Sequence, residues 1–238
     1  MIFFKTLFLL SLLLTVVNLS ACAGNTTLNK VNDINAEPMQ KLSKHFLLKR
    51  NSQNNTVSLL KDNNPTQTLY KKATDSETME QAAVNFLQKY RNEFLIYEPA
   101  KEFKVSSNKT DDLGFTRIKL NQFYQGIPVW QGIISIHFNR EHELQIVRGE
   151  YFPTPKDIDT NAGLSSDHLF QKASIINPAL NQTNYTSQKL IFFIDDTTPR
   201  LAYKLQPARH AKLTSYTYIL DALTGKLLNQ ASIIRTQF

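Results

Sequence analysis

The chain has 238 residues, a formal net charge of +7, and hydrophobic residues at 42% of positions, including 15 Phe and 9 Tyr. That supplies one or two apolar cores in about 200 residues, and the single cysteine excludes an internal disulfide framework. The basic residues are scattered, with pairs at Lys49-Arg50 and Lys71-Lys72 but no longer run. This reads as a solvated basic surface rather than a nucleic-acid footprint, with attraction to an acidic protein or anionic lipid left open.

Residues 1–21 read as a targeting segment. Lys5 supplies a positive n-region, and Leu7 to Leu19 form an apolar stretch too short to span a bilayer comfortably. The sequence Leu19-Ser20-Ala21-Cys22 fits a bacterial lipobox, so Cys22 is the expected lipidation site and mature N-terminus. The alternative is an ordinary secretory signal with a chance cysteine. Ala23 in place of aspartate directs a lipoprotein toward the outer membrane of a two-membrane host, facing the periplasm or the cell surface. A further acyl chain on the new amine would make such an anchor stable, because one chain holds only weakly. No later segment is apolar enough to span a membrane.

Residues 22–44 are polar, rich in Asn and Lys, and read as a flexible tether. Two strands are predicted at His45 to Lys49 and Thr56 to Lys61, around a turn at Asn51 to Asn55. A helix follows. Thr74 and Glu77 have capping-box spacing, with Asp75 and Ser76 as competing caps. Met79, Ala82, Ala83, Phe86, Leu87, Tyr90 and Phe94 then recur at helical spacing as a core stripe. Another strand is predicted at Phe103 to Ser107.

Asp111 to Pro155 reads as an antiparallel meander. In Phe115 to Tyr124, Ile118, Leu120, Gln122 and Tyr124 point one way and Arg117, Lys119 and Asn121 the other. Gly126 and Pro128 make a tight corner before Trp130 and Gly132. Ile134, Ile136 and Phe138 line the next strand, Asn139 to Glu143 form a charged turn, and Leu144 to Tyr151 form the third strand. Pro153 and Pro155 end the unit, since neither can donate to a ladder. The apolar face needs a cover, and the preceding helix is the expected one.

The run D-x-G-F-T-R-I-K-L-N-Q-F-Y-Q-G-I-P-V-W-Q-G, from Asp112 to Gly132, followed by V-x-G-x-Y-F-P, resembles the FTP domain. This is the propeptide module of thermolysin-type and fungalysin-type metallopeptidases. The A-x-x-F-L-x-x-Y-R-x-x-F pattern of the helix is similar as well. In those zymogens the propeptide assists folding of the catalytic domain and inhibits it.

Lys156 to Gly163 read as a linker. Leu164-Ser165-Ser166 cap a second helix carrying Leu169, Phe170, Ala173 and Ile176, stopped by Pro178. Strands are predicted at Lys189 to Ile194, Arg200 to Gln206, and Tyr216 to Ile234, the last folded about Asp221 to Gly225, where Asp and Gly suit a turn. The sequence Y-x-L-D-A-x-T-G-K-L-L resembles the PepSY domain, which follows FTP in thermolysin-type propeptides. The expected fold class is α+β, in two modules, each a helix packed on an antiparallel sheet. An FTP-like domain would occupy 45–155 and a PepSY-like domain 164–238.

No catalytic machinery is evident. The pair His142-Glu143 lacks the second histidine of H-E-x-x-H and falls in a turn. The five histidines have no ligand spacing. There is no G-x-S-x-G and no phosphate loop, and 7 glycines build no dinucleotide fingerprint. Asp111-Asp112 and Asp195-Asp196 read as turn formers. The expectation is a non-catalytic chain with no metal and no cofactor.

Taken with the lipobox at Cys22, the resemblance implies a free-standing propeptide-like lipoprotein that binds and inhibits, or chaperones, a thermolysin-family metallopeptidase in trans. Gln122, Tyr124 and Trp130 are candidate partner contacts. Ile233, Ile234 and Phe238 form a candidate tail for an apolar peptidase pocket. The alternative is an envelope interaction module on the same scaffold, with the corner residues serving as fold determinants.

Overall fold

The computed structural model describes residues 46–63, 68, 70–72, 76–161, 163–208 and 216–232. The chain opens with strands β1 (Phe46–Arg50) and β2 (Val57–Asp62), joined by a turn in which Asn55 has φ 59°. Helix α1 (Met79–Lys89) follows. Its capping box is Thr78 with Gln81: the Thr78 hydroxyl accepts from the Gln81 N–H, and the Gln81 side chain accepts from the Thr78 N–H. This corrects the expected box by one turn. Thr74 and Asp75 lie outside the described residues.

The helical stripe also breaks sooner than periodicity implied. Tyr90 leaves helical geometry, and a short α2 (Arg91–Phe94) ends at Leu95 in the left-handed region, φ 56°. The one-turn α3 (Pro99–Glu102) was not predicted. Pro99 starts it, and the buried Glu102 carboxylate accepts from the N–H groups of Tyr97 and Glu98 at its N-terminus.

Strands β3 (Phe103–Thr110), β4 (Thr116–Tyr124), β5 (Ile127–Phe138) and β6 (Leu144–Glu150) form an antiparallel meander, and β2 extends it by pairing with β6. One face is apolar. Ile118, Leu120, Ile134, Ile136, Phe138, Leu144 and Val147 join Ala82, Ala83, Phe86 and Leu87 of α1 in one buried cluster. The alternation read from sequence is therefore the real pleat of this sheet, with the helix stripe against it.

Beyond residues 151–161, helix α4 (Ser166–Ile176) is capped by Ser165. Leu169, Phe170 and Ala173 are buried, but Ile176 is 40% exposed, so it does not belong to the stripe assigned to it from sequence. Strands β7 (Tyr185–Ile194), β8 (Thr198–Pro207), β9 (Tyr216–Asp221) and β10 (Leu227–Ser232) pair antiparallel in chain order. The β9–β10 turn is built as its sequence suggests. Asp221 accepts from the N–H groups of Leu223 and Thr224, and Gly225 takes φ 73°. Leu169, Phe170 and Ala173 cluster with Tyr185, Leu205, Tyr218 and Leu220.

The described residues fall within a single compact unit, Asn35–Phe238. The long strand β5 is the reason. It pairs with β4 along both halves and with β6 along its second, while Val129 in its first half bridges in parallel to Ile191 of β7. The Phe152 and Phe193 rings stack beside that bridge, centroids 4.2 Å apart and 8° from parallel. The architecture is α+β, dominated by sheet.

Candidate partner-binding surface

The candidate residues cluster around the β4–β5 hairpin. Its turn is Gln125-Gly126, with φ 48° and 82°, the positive pair a tight two-residue hairpin requires. Gln122 has no accessible surface. Its Nε2 donates to the Phe152 carbonyl at 2.7 Å and its Oε1 accepts from the Phe152 N–H at 3.0 Å. One amide thus supplies both partners that a neighbouring strand would give Phe152. Gly132 leaves room for it: a Cβ there would lie 2.7 Å from Gln122 Cβ and Oε1.

A second interlock sits at V-x-G-x-Y. A Cβ on Gly149 would lie 2.6 Å from the Tyr151 ring and 2.7 Å from the Val57 carbonyl oxygen. The Tyr151 hydroxyl accepts from the Val57 N–H at 3.1 Å and donates to the Phe94 carbonyl at 3.0 Å. Burial pushes that phenol far above the usual tyrosine range. Tyr151 ties β2, the end of α2 and the segment after β6 to one point.

Tyr124 and Trp130 sit differently. Tyr124 is half-buried beside the cluster of Val129, Phe152, Ile191, Phe193 and Leu201, and its hydroxyl accepts from Gln125 Nε2 at 3.2 Å. It also lines a surface hollow with Tyr97, Gln125, Gly126, Thr154 and Pro155. Tyr97 is 67% exposed there. Trp130 packs in a separate cluster with Leu190, Ala202, Ile219, Phe192 and Leu228. Lys204 Nζ lies 5.9 Å from the Trp130 ring centroid, and desolvation holds that ammonium below the usual lysine range. Among the described residues the buried indole N–H has no hydrogen-bond partner.

The structure therefore brings Gln122 and Tyr124 to one corner and sends Trp130 into another cluster. Tyr97 and Lys204 were not singled out from sequence. Nothing local marks either, because each reaches its neighbours through long-range pairing. Cys22, Ile233, Ile234 and Phe238 lie outside the described residues.

His142-Glu143 falls in the β5–β6 turn. His142 has φ 61°, and Glu143 bonds with Asn139 and pairs with Lys71 at 3.6 Å. Asp111 closes its own turn by accepting from the N–H groups of Leu113 and Phe115. Asp195 and Asp196 occupy a hairpin turn at φ 49° and 57°. Among the described residues no three His, Cys, Asp or Glu side chains are grouped to hold a metal ion, and no helix is long and apolar enough to cross a membrane.

Residues 101–151 match the Fungalysin/Thermolysin Propeptide Motif. This stretch runs from α3 to the Tyr151 interlock, so the meander carries a propeptide motif. The chain is 28% identical over 163 residues to Thermolysin of Alicyclobacillus acidocaldarius subsp. acidocaldarius, covering 63% of this chain and 29% of that protein. It is 25% identical over 168 residues to Bacillolysin of Bacillus subtilis (strain 168), covering 63% of this chain and 31% of that protein. The chain thus spans about 29% of the length of the thermolysins it matches, and the shared stretch is their propeptide region, not the catalytic domain. Among solved structures, the Bacillus megaterium YpeB C-terminal domain aligns over 79% of this chain and 81% of its own, with 13% identity and a TM-score of 0.37.

Proposed function

We propose that this protein is a non-catalytic, propeptide-like binder of a thermolysin-type metallopeptidase, acting on the enzyme as a separate chain to inhibit it or to assist its folding. The observation that carries this reading is the propeptide motif at 101–151, within a longer similarity to thermolysin precursors. Within that stretch Gln122, Gly132, Gly149 and Tyr151 interlock inside the fold. In the finer reading the chain comprises two helix-on-sheet modules, 45–155 and 164–238. Cys22 would be lipidated and hold the protein at the bacterial cell envelope. Ile233, Ile234 and Phe238 would enter the apolar pocket of the enzyme.

The test pairs a pull-down from envelope extracts with a caseinolytic assay on thermolysin-type peptidases. Recovery of a metallopeptidase and dose-dependent loss of its activity are expected. Improved refolding without inhibition would make the protein a chaperone. Deleting residues 233–238 without loss of inhibition would rule out the tail.

A second reading, an envelope interaction module with no peptidase partner, is favoured by one observation. Gln122, Gly132, Gly149 and Tyr151 are engaged inside the fold, so the motif would persist whatever the surface binds. Absence of any metallopeptidase from the pull-down would select it.

A further inference from the structure

The second face of the meander sheet, opposite α1, has a composition that sequence order hides. Register sets its rows, because directly paired residues share a face. One row across the strands reads Lys49, Leu59, Arg148, Ser135, Lys119, Ser107. The next reads Leu47, Lys61, Ile146, His137, Arg117, Lys109. A third reads Glu150, Ile133, Asn121, Lys104. Glu150 is the only acidic residue in these rows, and every other charged side chain in them is basic.

At about 4.8 Å between strands, the six strands carry this array across roughly 24 Å. Among the described residues none of these cations makes a salt bridge. Arg117 stands directly opposite Lys109, a like-charge pairing that destabilises a sheet. The field is felt locally: His137 is held below the usual histidine range by desolvation, then by Arg117 and Arg148. Lys119 and Arg148 also line one shallow depression with Leu59, Ile133 and Ser135. A solvated antiparallel face ordinarily mixes both signs. This one does not.

We propose that this face docks an acidic protein surface. Its make-up favours a protein over the other polyanions. A single-stranded nucleic acid would need exposed rings for base stacking, and Phe123, beside Asn121 in β4, lies under Lys104 at 4.5 Å; a duplex would be held through its phosphates alone, which leaves the aliphatic side chains of this face unused. A membrane would be served by a contiguous apolar band, whereas Leu47, Leu59, Ile133 and Ile146 are each paired with a charged or polar side chain in their rows. Fixed cations interleaved with partly covered aliphatic groups and short hydroxyls suit a surface whose carboxylates are also fixed. Only the identity of the partner as the metallopeptidase rests on the function proposed above.

The test uses two triple variants of equal net charge. Lys61→Gln, Lys119→Gln and Arg148→Gln strip the face. Lys156→Gln, Lys172→Gln and Lys226→Gln strip exposed positions elsewhere. All are surface changes, and circular dichroism checks the fold. The probes are poly-L-glutamate, phosphatidylglycerol vesicles and a thermolysin-type peptidase. The face variant is expected to lose roughly tenfold or more in poly-L-glutamate affinity and to show a shallower salt dependence, with the control variant near the parent. Equal losses in both variants overturn the proposal, since net charge alone would then act. Binding to the vesicles but not to poly-L-glutamate overturns it in favour of a lipid surface. A peptidase that binds parent and face variant alike places its docking elsewhere and leaves the propeptide reading standing. A peptidase that binds neither sinks that reading, while the poly-L-glutamate result still decides this one.

Discussion

Gln122→Leu tests whether the motif glutamine holds the fold or meets a partner. The substitution keeps side-chain size but removes both hydrogen bonds to Phe152, 2.7 and 3.0 Å long, at a site with no solvent access. Each buried backbone group left unpaired costs about 1–3 kcal/mol, so about 2–6 kcal/mol is at stake. The added apolar side chain returns about 1–2 kcal/mol through burial. The difference spans about 0–5 kcal/mol, and the expected net loss is its midpoint, about 2–3 kcal/mol. For a chain of this size each kcal/mol shifts Tm by about 2–4 °C, which gives a drop of roughly 4–12 °C. Urea titration followed by circular dichroism measures it, with the slope checked for constancy. Below both midpoints, partner binding should match the parent. A variant within about 0.5 kcal/mol of the parent would refute the bridging argument, because surface changes normally fall in that range. Unchanged stability with lost binding would make Gln122 a contact residue, contrary to its burial.

Tyr151→Phe removes the hydroxyl between the Val57 N–H and the Phe94 carbonyl; a loss of about 1–3 kcal/mol is expected in the same titration. Gly149→Ala places a methyl against the Tyr151 ring and the Val57 carbonyl, and overpacking of this kind costs about 1–3 kcal/mol. His137 has a depressed pKa through desolvation, Arg117 and Arg148, so the unfolded chain takes its proton first. Its contribution is whole above the unfolded value, near about 6.5, and is lost as pH falls through the folded value. His137→Gln should therefore narrow the stability difference between neutral and mildly acidic buffer. Trp130→Phe deletes the buried indole N–H, which has no partner among the described residues; the relief offsets lost ring area, and stability is expected within about 1 kcal/mol of the parent.

The meander was legible because its signal is local. Alternation at Ile118, Leu120, Ile134 and Ile136 fixes the buried face whatever lies far away. Helix boundaries were less so. Thr74–Glu77 and Thr78–Gln81 both satisfy the capping spacing, and the structure uses the second. Helix α3 is one turn closed by a buried carboxylate, too short to leave a period. The bridge from Val129 to Ile191, and with it the stack of Phe152 on Phe193, joins residues that no local pattern relates. The Trp130–Lys204 contact arises the same way. Among the site residues, sequence separated the corner from the rest of the chain. It did not separate the buried Gln122 from the half-buried Tyr124, because both point to one side of β4.

Scattered charge is the clearest case of information that only register reveals. Lys49, Lys61, Arg117, Lys119 and Arg148 are dispersed along the chain and read as ordinary solvated positions. Antiparallel pairing lays them in adjacent rows on one face. Gly132 and Gly149 and their partners, by contrast, work inward. Gly132 admits the Gln122 amide, and Gly149 admits the Tyr151 ring. The propeptide motif at 101–151 therefore spans both faces: its inward residues build the module, and its outward ones include Arg117, Lys119 and Arg148 of the basic face. If that face docks an acidic surface as proposed, grafting it onto a related propeptide module should carry over the preference for acidic surfaces, whereas exchanging the inward motif residues should move stability and leave that preference in place.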